Sequence, residues 1–478
     1  MSKLSELTGD YIRGSHSIAE MEKGYLSQVL SLCLSLLRFV ISAKLSALMG
    51  SAPPATQAGK RLDSKGQRPR KYLSLFGMLE FERPAYHSKP TGMVYPLDEA
   101  LSLPALQWSY NIQELTAQSA SETDFRESVG LLNNLLGLGL SGTASERNAG
   151  ALGRAVDSFY AGPPAEDGPG GAPQDACFCA SFDGKGVPKI KPWDKQAAPP
   201  SARLGKGQKR GVKQMATVAV VSRYERAEQG KSSIIRALMR EHEPNAPEGQ
   251  DNDNRRHKAV HRRGFLADQD RAVSYGLARA KARISHAGQR LVVPIDAGIG
   301  LESKVLHYVK EYGLEGHFEG IILDFIHASE YVWDCANATL GEDSRLRKEW
   351  VRDMLSDLLD SKTRKVIDDL ELLANKCQSL TKGQRATVQK AATYFANHAH
   401  KMDYKSYLEK GYPVTSAIVE SSCKHLVKDR MEQSGMRWCS EGAQAMMDVR
   451  AAKLNGDLPE LMSFVDQQQR KSGLLRAA

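Results

Sequence analysis

The chain has 478 residues, with 65 Lys+Arg against 56 Asp+Glu, so its net charge is +9 and its pI is near 9.0. Hydrophobic residues make up 41% and charged residues 25%, close to soluble globular averages, which excludes a disordered polyelectrolyte, a collagen-like chain and a small disulfide scaffold. The length allows about three folding units at roughly 100–200 residues each.

The N-terminal Met-Ser-Lys-Leu-Ser-Glu has no basic segment leading into a short apolar core, so no signal peptide is expected. The apolar run from Gly24 to Leu37 is closed by Arg38 and Lys44. That is short of the ~18–20 uncharged residues of a membrane span, and no span is expected. Leu26, Val29, Leu30, Cys33, Leu36, Leu37 and Val40 recur at i, i+3, i+4, i+7. They predict an amphipathic helix over 25–50, serving as a core helix or as a dimerisation helix. Tyr72 to Tyr86 predicts two short strands around Gly77. Helical spacing returns from Thr123 to Leu136. A Gly137-Leu-Gly-Leu turn follows, then a second helix to Tyr160 capped by Ser141 or Thr143. Together these outline a helix-turn-helix, which contacts DNA in some proteins and is a plain αα-hairpin in most.

Ala161–Ala176 holds four Gly and four Pro and predicts a linker. Beyond it, strands are expected at Ala176–Phe182, Met215–Tyr224, Ser232–Met239, Leu291–Ile295 and Phe318–Phe325. Helices are expected at Arg271–His286 and Glu302–Tyr312. Ala328 to Leu408 reads as wholly helical, and Thr415 to Lys453 as a final long helix or pair. A mixed sheet interrupted by a helical insert is an α/β fold. Seven scattered cysteines without a Cys-x-x-Cys pair predict free thiols in a reducing cytoplasm.

Three acids stand out by position. Asp183 ends the first strand at Gly-Lys-Gly, Asp296 ends Leu-Val-Val-Pro-Ile, and Glu420 lies on the final helix. Each singly has a plain explanation as a turn residue, a cap or a solvated side chain. Jointly they are what two-metal phosphodiester chemistry needs, carboxylates converging from separate elements on Mg²⁺ or Mn²⁺. Asp324-Phe-Ile-His327 adds either a further polar pair or a strand end with a structural histidine.

These residues carry a resemblance. Asp183-Gly-Lys-Gly, Asp296-Ala-Gly, Leu323-Asp-Phe-Ile-His-Ala-Ser-Glu-Tyr-Val-Trp and the block from Val419-Glu-Ser-Ser-Cys-Lys-His to Gly-Met-Arg-Trp438 resemble bacterial insertion-sequence transposases of the ISKra type. That family is similar to the wider Mutator-like group of DDE enzymes. The likeness covers most of 176–455, plus the Gly77 hairpin and Pro96-Leu-Asp-Glu. It implies an RNase H-like core in which Asp183, Asp296 and Glu420 are the catalytic, metal-holding acids, with Mg²⁺ as cofactor and Mn²⁺ able to substitute. Asp324 and His327 match the family's accessory Asp/Cys-x-x-His signature. Ala297 stands where Gly commonly follows the second acid, so Asp324 stays open as an alternative second ligand.

The implied organisation is an N-terminal, mainly helical end-binding region 1–160, a linker 161–175, a core 176–327, an insertion 328–410, a catalytic helix region 411–455 and a tail 456–478. The implied partners are double-stranded DNA, as terminal inverted repeats and target, and further copies of the chain, with the Leu26–Val40 stripe as candidate interface. The implied location is cytoplasmic and nucleoid-associated. The rival readings are a nuclease that cleaves without joining, an inactive DNA-binding regulator, and a basic α/β protein with no nucleic-acid role.

Basic residues cluster at Arg61–Lys71, Arg203–Lys213, Arg255–Arg263 and on the final helix. Glu420, Lys424 and Lys428 at i, i+4, i+8 share one predicted face, where lysines would meet backbone phosphates. Lys185, Arg430 and Arg437 are further candidate DNA contacts. Trp438 would stack on an unpaired base or sit in the core. Glu241 to Asn254 reads as an exposed acidic loop without catalytic duty.

Overall fold

The structure is a computed structural model that describes residues 2–50, 62–89, 92–165, 167–168, 171–190, 212–226, 230–239, 256–298, 300–340 and 345–471. Lys60 and Arg61, most of the Arg203–Lys213 run, and Glu241 to Arg255 lie outside the described residues. The chain divides into two compact units, Met1–Phe159 with Gly456–Ala478, and Tyr160–Asn455.

The first unit begins with α1 (Ser2–Arg13) and α2 (Ile18–Met49). Ser17 caps α2 by accepting from the Glu20 amide, while the Glu20 carboxylate accepts from the Ser17 amide at 2.8 Å, a reciprocal capping box. α2 is one unbroken 32-residue helix, and by length and composition alone it is long and apolar enough to cross a membrane. The expectation that Arg38 ends the apolar run is therefore corrected: Phe39-Val-Ile41 continues it, and one guanidinium does not offset the leucines around it. One side of α2 is committed to its own unit. Leu34, Leu37, Ile41, Leu45 and Leu48 pack around Leu79 and Leu97.

β1 (Asp63–Ser74) and β2 (Gly77–Ser88) form a hairpin from Ser74↔Gly77 out to Asp63↔His87, longer than predicted. β3 (Gly92–Val94) completes a sheet ordered β1-β2-β3. α3 (Pro96–Ala100) and α4 (Tyr110–Ala120) follow, then α5 (Glu127–Leu136) and α6 (Gly142–Tyr160). Gly137, at φ 66°, closes α5 in the left-handed region that favours glycine. Ser141 rather than Thr143 caps α6, its hydroxyl accepting from the Ala144 amide at 3.2 Å.

The second unit is built on a mixed five-stranded sheet. Along the chain lie β4 (Cys177–Pro188), β5 (Lys213–Tyr224), α7 (Lys231–Met239), β6 (His257–Leu266), α8 (Gln269–Arg283), β7 (Arg290–Ile295), α9 (Leu301–Glu311) and β8 (Phe318–Leu323). The order is β6-β5-β4-β7-β8, antiparallel across β6, β5 and β4 and parallel across β4, β7 and β8. Two expectations are corrected here. Ser232–Met239 is helix α7, because Ile234, Ile235 and Leu238 fall at helical spacing against the core. The third antiparallel strand is instead the Arg-rich β6, whose basic composition hid its pairing.

Alternation along β4 sends Phe178, Ala180 and Phe182 to one face, packed with α8 and α9, and Cys177 and Cys179 to the other. That second face is covered by α10 (Phe325–Leu340), α11 (Arg345–Leu359), α12 (Thr363–Lys376), α13 (Lys382–His398) and α14 (Tyr404–Glu409). The chain then runs through α15 (Ala417–Cys423), a π-helical turn at Lys424–Lys428, α16 (Asp429–Met431) and α17 (Ser440–Asn455). α18 (Leu458–Lys471) returns to the first unit.

The described part of the Pro/Gly stretch 161–176 has no helix or strand, yet it is fastened to the second unit. Asp167 accepts two hydrogen bonds from Arg283, at 2.7 and 2.9 Å, and Gln289 donates to the Pro173 carbonyl at 2.8 Å. The Arg283 and Asp167 side chains are 1% and 8% exposed. Removing one partner strands a buried charge. Asp167→Ala should therefore lower the unfolding free energy by about 3 kcal/mol, measured by urea denaturation of the full chain.

Candidate metal centre

Sheet register assembles the site. Phe182 pairs with Ile295 across β4 and β7, so Asp183 and Asp296 follow side by side. Ile295 pairs with Leu323 on β8, and the Asp324 amide donates to the Ile295 carbonyl at 2.8 Å. Asp183 thus lies within β4, while Asp296 and Asp324 directly follow the last residues of β7 and β8, on three neighbouring parallel strands. Asp183 does not end its strand as expected. β4 continues past it, pairing Asp183 with Val218 and running to Pro188. Gly184 lies against Met215, whose Cε would be 3.0 Å from an added Cβ.

Asp324 is fully buried. Its Oδ1 accepts from the amides of Ile326 and Ser416, each at 3.0 Å, and its Oδ2 accepts from the Ser416 hydroxyl at 2.7 Å. Burial holds its pKa above the ordinary carboxylate value, although the bonds from Ser416 and Ile326 and the nearby His327 oppose this. Ser416 occupies the N-cap position of α15, so the same bonds fix where the helix carrying Glu420 begins.

His327 stands 3.9 Å from Asp324 and 3.8 Å from Glu420 through Nε2, with Nδ1 3.2 Å from Glu330. Burial alone would lower its pKa, but Asp324, Glu330 and Glu420 outweigh that and raise it. Ligand atoms of Asp324, His327 and Glu420 all lie within 4.8 Å of one another. The Glu420 carboxyl is pushed up by burial first, then by Asp324, with His327 opposing and Asp183 adding to the rise. Cys423, one turn beyond Glu420, is buried, and burial first and then the Asp183 charge push its thiol pKa up.

The structure therefore brings Asp324, His327 and Glu420 into one tight group. Asp183 and Asp296 flank it without belonging to the 4.8 Å set. Asp183 is half-buried and acts on Glu420. Asp296 is half-buried, accepts from the Gly298 amide at 3.0 Å and acts on Tyr394. Glu420 feels the charges of Asp324 and Asp183, and a cation bound beside it would relieve that repulsion. Carboxylate oxygens suit Mg²⁺ or Mn²⁺. Asp324 is the poorest donor of the set, since both its oxygens already accept hydrogen bonds.

The candidate DNA contacts separate into two groups. Lys424, Lys428 and Arg437 are exposed and Lys185 is half-buried. The segment Lys424–Lys428 is bonded as a π-helical turn rather than as a continuation of the α-helix that carries Glu420. Arg430 and Trp438 are buried, so Trp438 takes the core alternative and Arg430 is not a surface contact. The Arg430 guanidinium lies 4.9 Å from the Trp438 ring, and the indole N–H donates to the Met431 carbonyl at 3.1 Å. Trp438 also extends β4, its amide donating to the Pro188 carbonyl at 3.0 Å. On β6, Arg263 is buried against Asp448 at 3.0 Å and Arg262 donates to Ser422 at 3.0 Å, so that basic run turns inward.

Three contributors carried no sequence signal: Ser416, Cys423, and the stacked Tyr331–Tyr394 pair, whose centroids are 3.8 Å apart. Glu330, three residues after His327, was within reach of a helical-spacing argument. The chain matches no protein-family model, and no curated protein matches it.

Because the folded pKa of His327 is raised, the stability it contributes is fully present below its ordinary 6.5 and is lost as pH rises through the folded value. In chelator, the melting temperature should fall as pH rises from 6.5 into the alkaline range. His327→Gln should flatten that part of the profile.

Proposed function

We propose that residues 160–455 form the catalytic unit of a metal-dependent DNA transposase of the DDE type, with an RNase H-like core. The observation that carries the reading is the Phe182↔Ile295 register, which sets Asp183 beside Asp296, while Asp324 and Ser416 bring Glu420 to the same site. The ISKra-like motifs at these same residues supply the reaction class.

On this reading Asp183, Asp296 and Glu420 hold the cation, and Asp324 positions α15 rather than acting as a ligand. A bound Mg²⁺ or Mn²⁺ supplies charge neutralisation at the phosphodiester and a lowered pKa for water. His327, between Asp324 and Glu420, orients the Glu420 carboxylate. Lys424, Lys428, Arg437 and Lys185 pair with backbone phosphates and position the duplex without reading its sequence. Hydrolysis at the element end frees a 3′-hydroxyl. That hydroxyl attacks a target phosphodiester, and one P–O bond forms as another breaks. Recognition of the ends falls to the α5–Gly137–α6 hairpin of the first unit.

Asp183→Asn and Asp296→Asn should each bind element-end DNA at wild-type affinity and lose about 10³-fold or more in joining a pre-cut end. Strand transfer by Asp183→Asn at the wild-type rate would contradict the proposal. Cleavage without joining by the wild-type protein would make it a nuclease instead.

A further inference from the structure

Among the described residues, α2 carries an apolar surface that the rest of the first unit leaves uncovered. Leu34, Leu37, Ile41, Leu45 and Leu48 of α2 face the hairpin side, around Leu79 and Leu97. About 100° round the helix, a second stripe runs through Leu26, Val29, Cys33, Leu36 and Val40. Its alternating spacing of three and four is that of a coiled-coil seam, and Leu32 and Phe39 widen it. Leu36 is 57% exposed and Phe39 73%, so this is a contiguous apolar strip rather than scattered leucines. Lipid does not suit it. A spanning helix is apolar to its surroundings all round, whereas one side of α2 is already clamped onto Leu79 and Leu97.

Charge indicates what covers the stripe. Glu22 and Lys44 are both exposed and stand at its two ends, about six turns apart on nearly the same side of the helix. Cys33 is the midpoint of Leu26 and Val40 and equally of Glu22 and Lys44. We propose that this stripe is the interface to a second copy of the chain, with the two α2 helices antiparallel and crossing at Cys33. A twofold axis there gives an isologous contact. It places Glu22 of each copy near Lys44 of the other and opposes the two helix dipoles. Parallel pairing would set Glu22 on Glu22 and Lys44 on Lys44. The inference is independent of the catalytic reading.

Size-exclusion chromatography with light scattering on the full chain tests it. Wild type should be a dimer, and Leu36→Glu/Val40→Glu a monomer with unchanged far-UV circular dichroism. Glu22→Lys should weaken the dimer roughly tenfold, and adding Lys44→Glu should restore it. These surface charge changes keep the test decisive if the core-adjacent pair misfolds. Mild oxidation should give a covalent dimer that Cys33→Ser abolishes. A monomeric wild type, a dimer indifferent to Leu36→Glu/Val40→Glu, a failure of the charge swap to restore pairing, or vesicle flotation without dimerisation would each overturn the proposal.

Discussion

The second unit's site turns on one buried carboxylate. Asp324 sits at the end of β8 with no solvent to stabilise its charge, and the hydrogen bonds that offset that cost come from Ser416 and Ile326. A buried acid costs several kcal/mol unless its lone pairs are met, so the start of α15 has little freedom to move. Everything on α15 inherits that constraint. Glu420 is delivered beside His327, and Cys423 reaches Asp183. The sheet does the rest, because pairing β4 with β7 and β7 with β8 leaves no choice about where Asp183, Asp296 and Asp324 emerge.

On the proposed reading, the acids divide their work according to solvent access. Asp183, Asp296 and Glu420 are half-buried, open enough to meet an ion. Asp324 has both oxygens engaged and serves as the tie. Sequence alone left Asp296 and Asp324 as alternatives for one role. Their environments favour different roles, the usual way one site sets similar side chains to different tasks. In the π-helical turn just past Glu420, Leu426 and Val427 are buried while Lys424 and Lys428 stay exposed.

Strong period-two and period-3.6 patterns were legible. Met215–Tyr224, Leu291–Ile295, the helices from Ala328 onward and the α5–Gly137–α6 hairpin all stand close to where hydrophobic spacing puts them. The failures share a cause, which is that tertiary pairing overrode local composition. Arg262 and Arg263 stand in a basic cluster of the sequence, but Ser422 and Asp448, far along the chain, draw them inward as strand residues. Trp438 read as either a base-stacking or a core side chain, and its burial, with its amide on the Pro188 carbonyl as an extension of β4, puts it in the core. The acids themselves were visible because they end apolar runs. Ser416, a lone serine ahead of a helix, carries nothing in its neighbours to show that its partner lies 92 residues earlier.

The central claim is that Asp183 of β4, Asp296 just past β7 and Glu420 of α15 form one divalent-cation site. Crystals of the full chain grown with Mn²⁺ and measured at the manganese absorption edge test it most directly. The account predicts an anomalous peak bounded by the carboxylates of Asp183, Asp296 and Glu420, absent in Asp183→Asn crystals, with Asp324 still bonded to Ser416. A peak liganded by Asp324 after loss of its bonds to Ser416, or no peak at this site at saturating Mn²⁺, would contradict it.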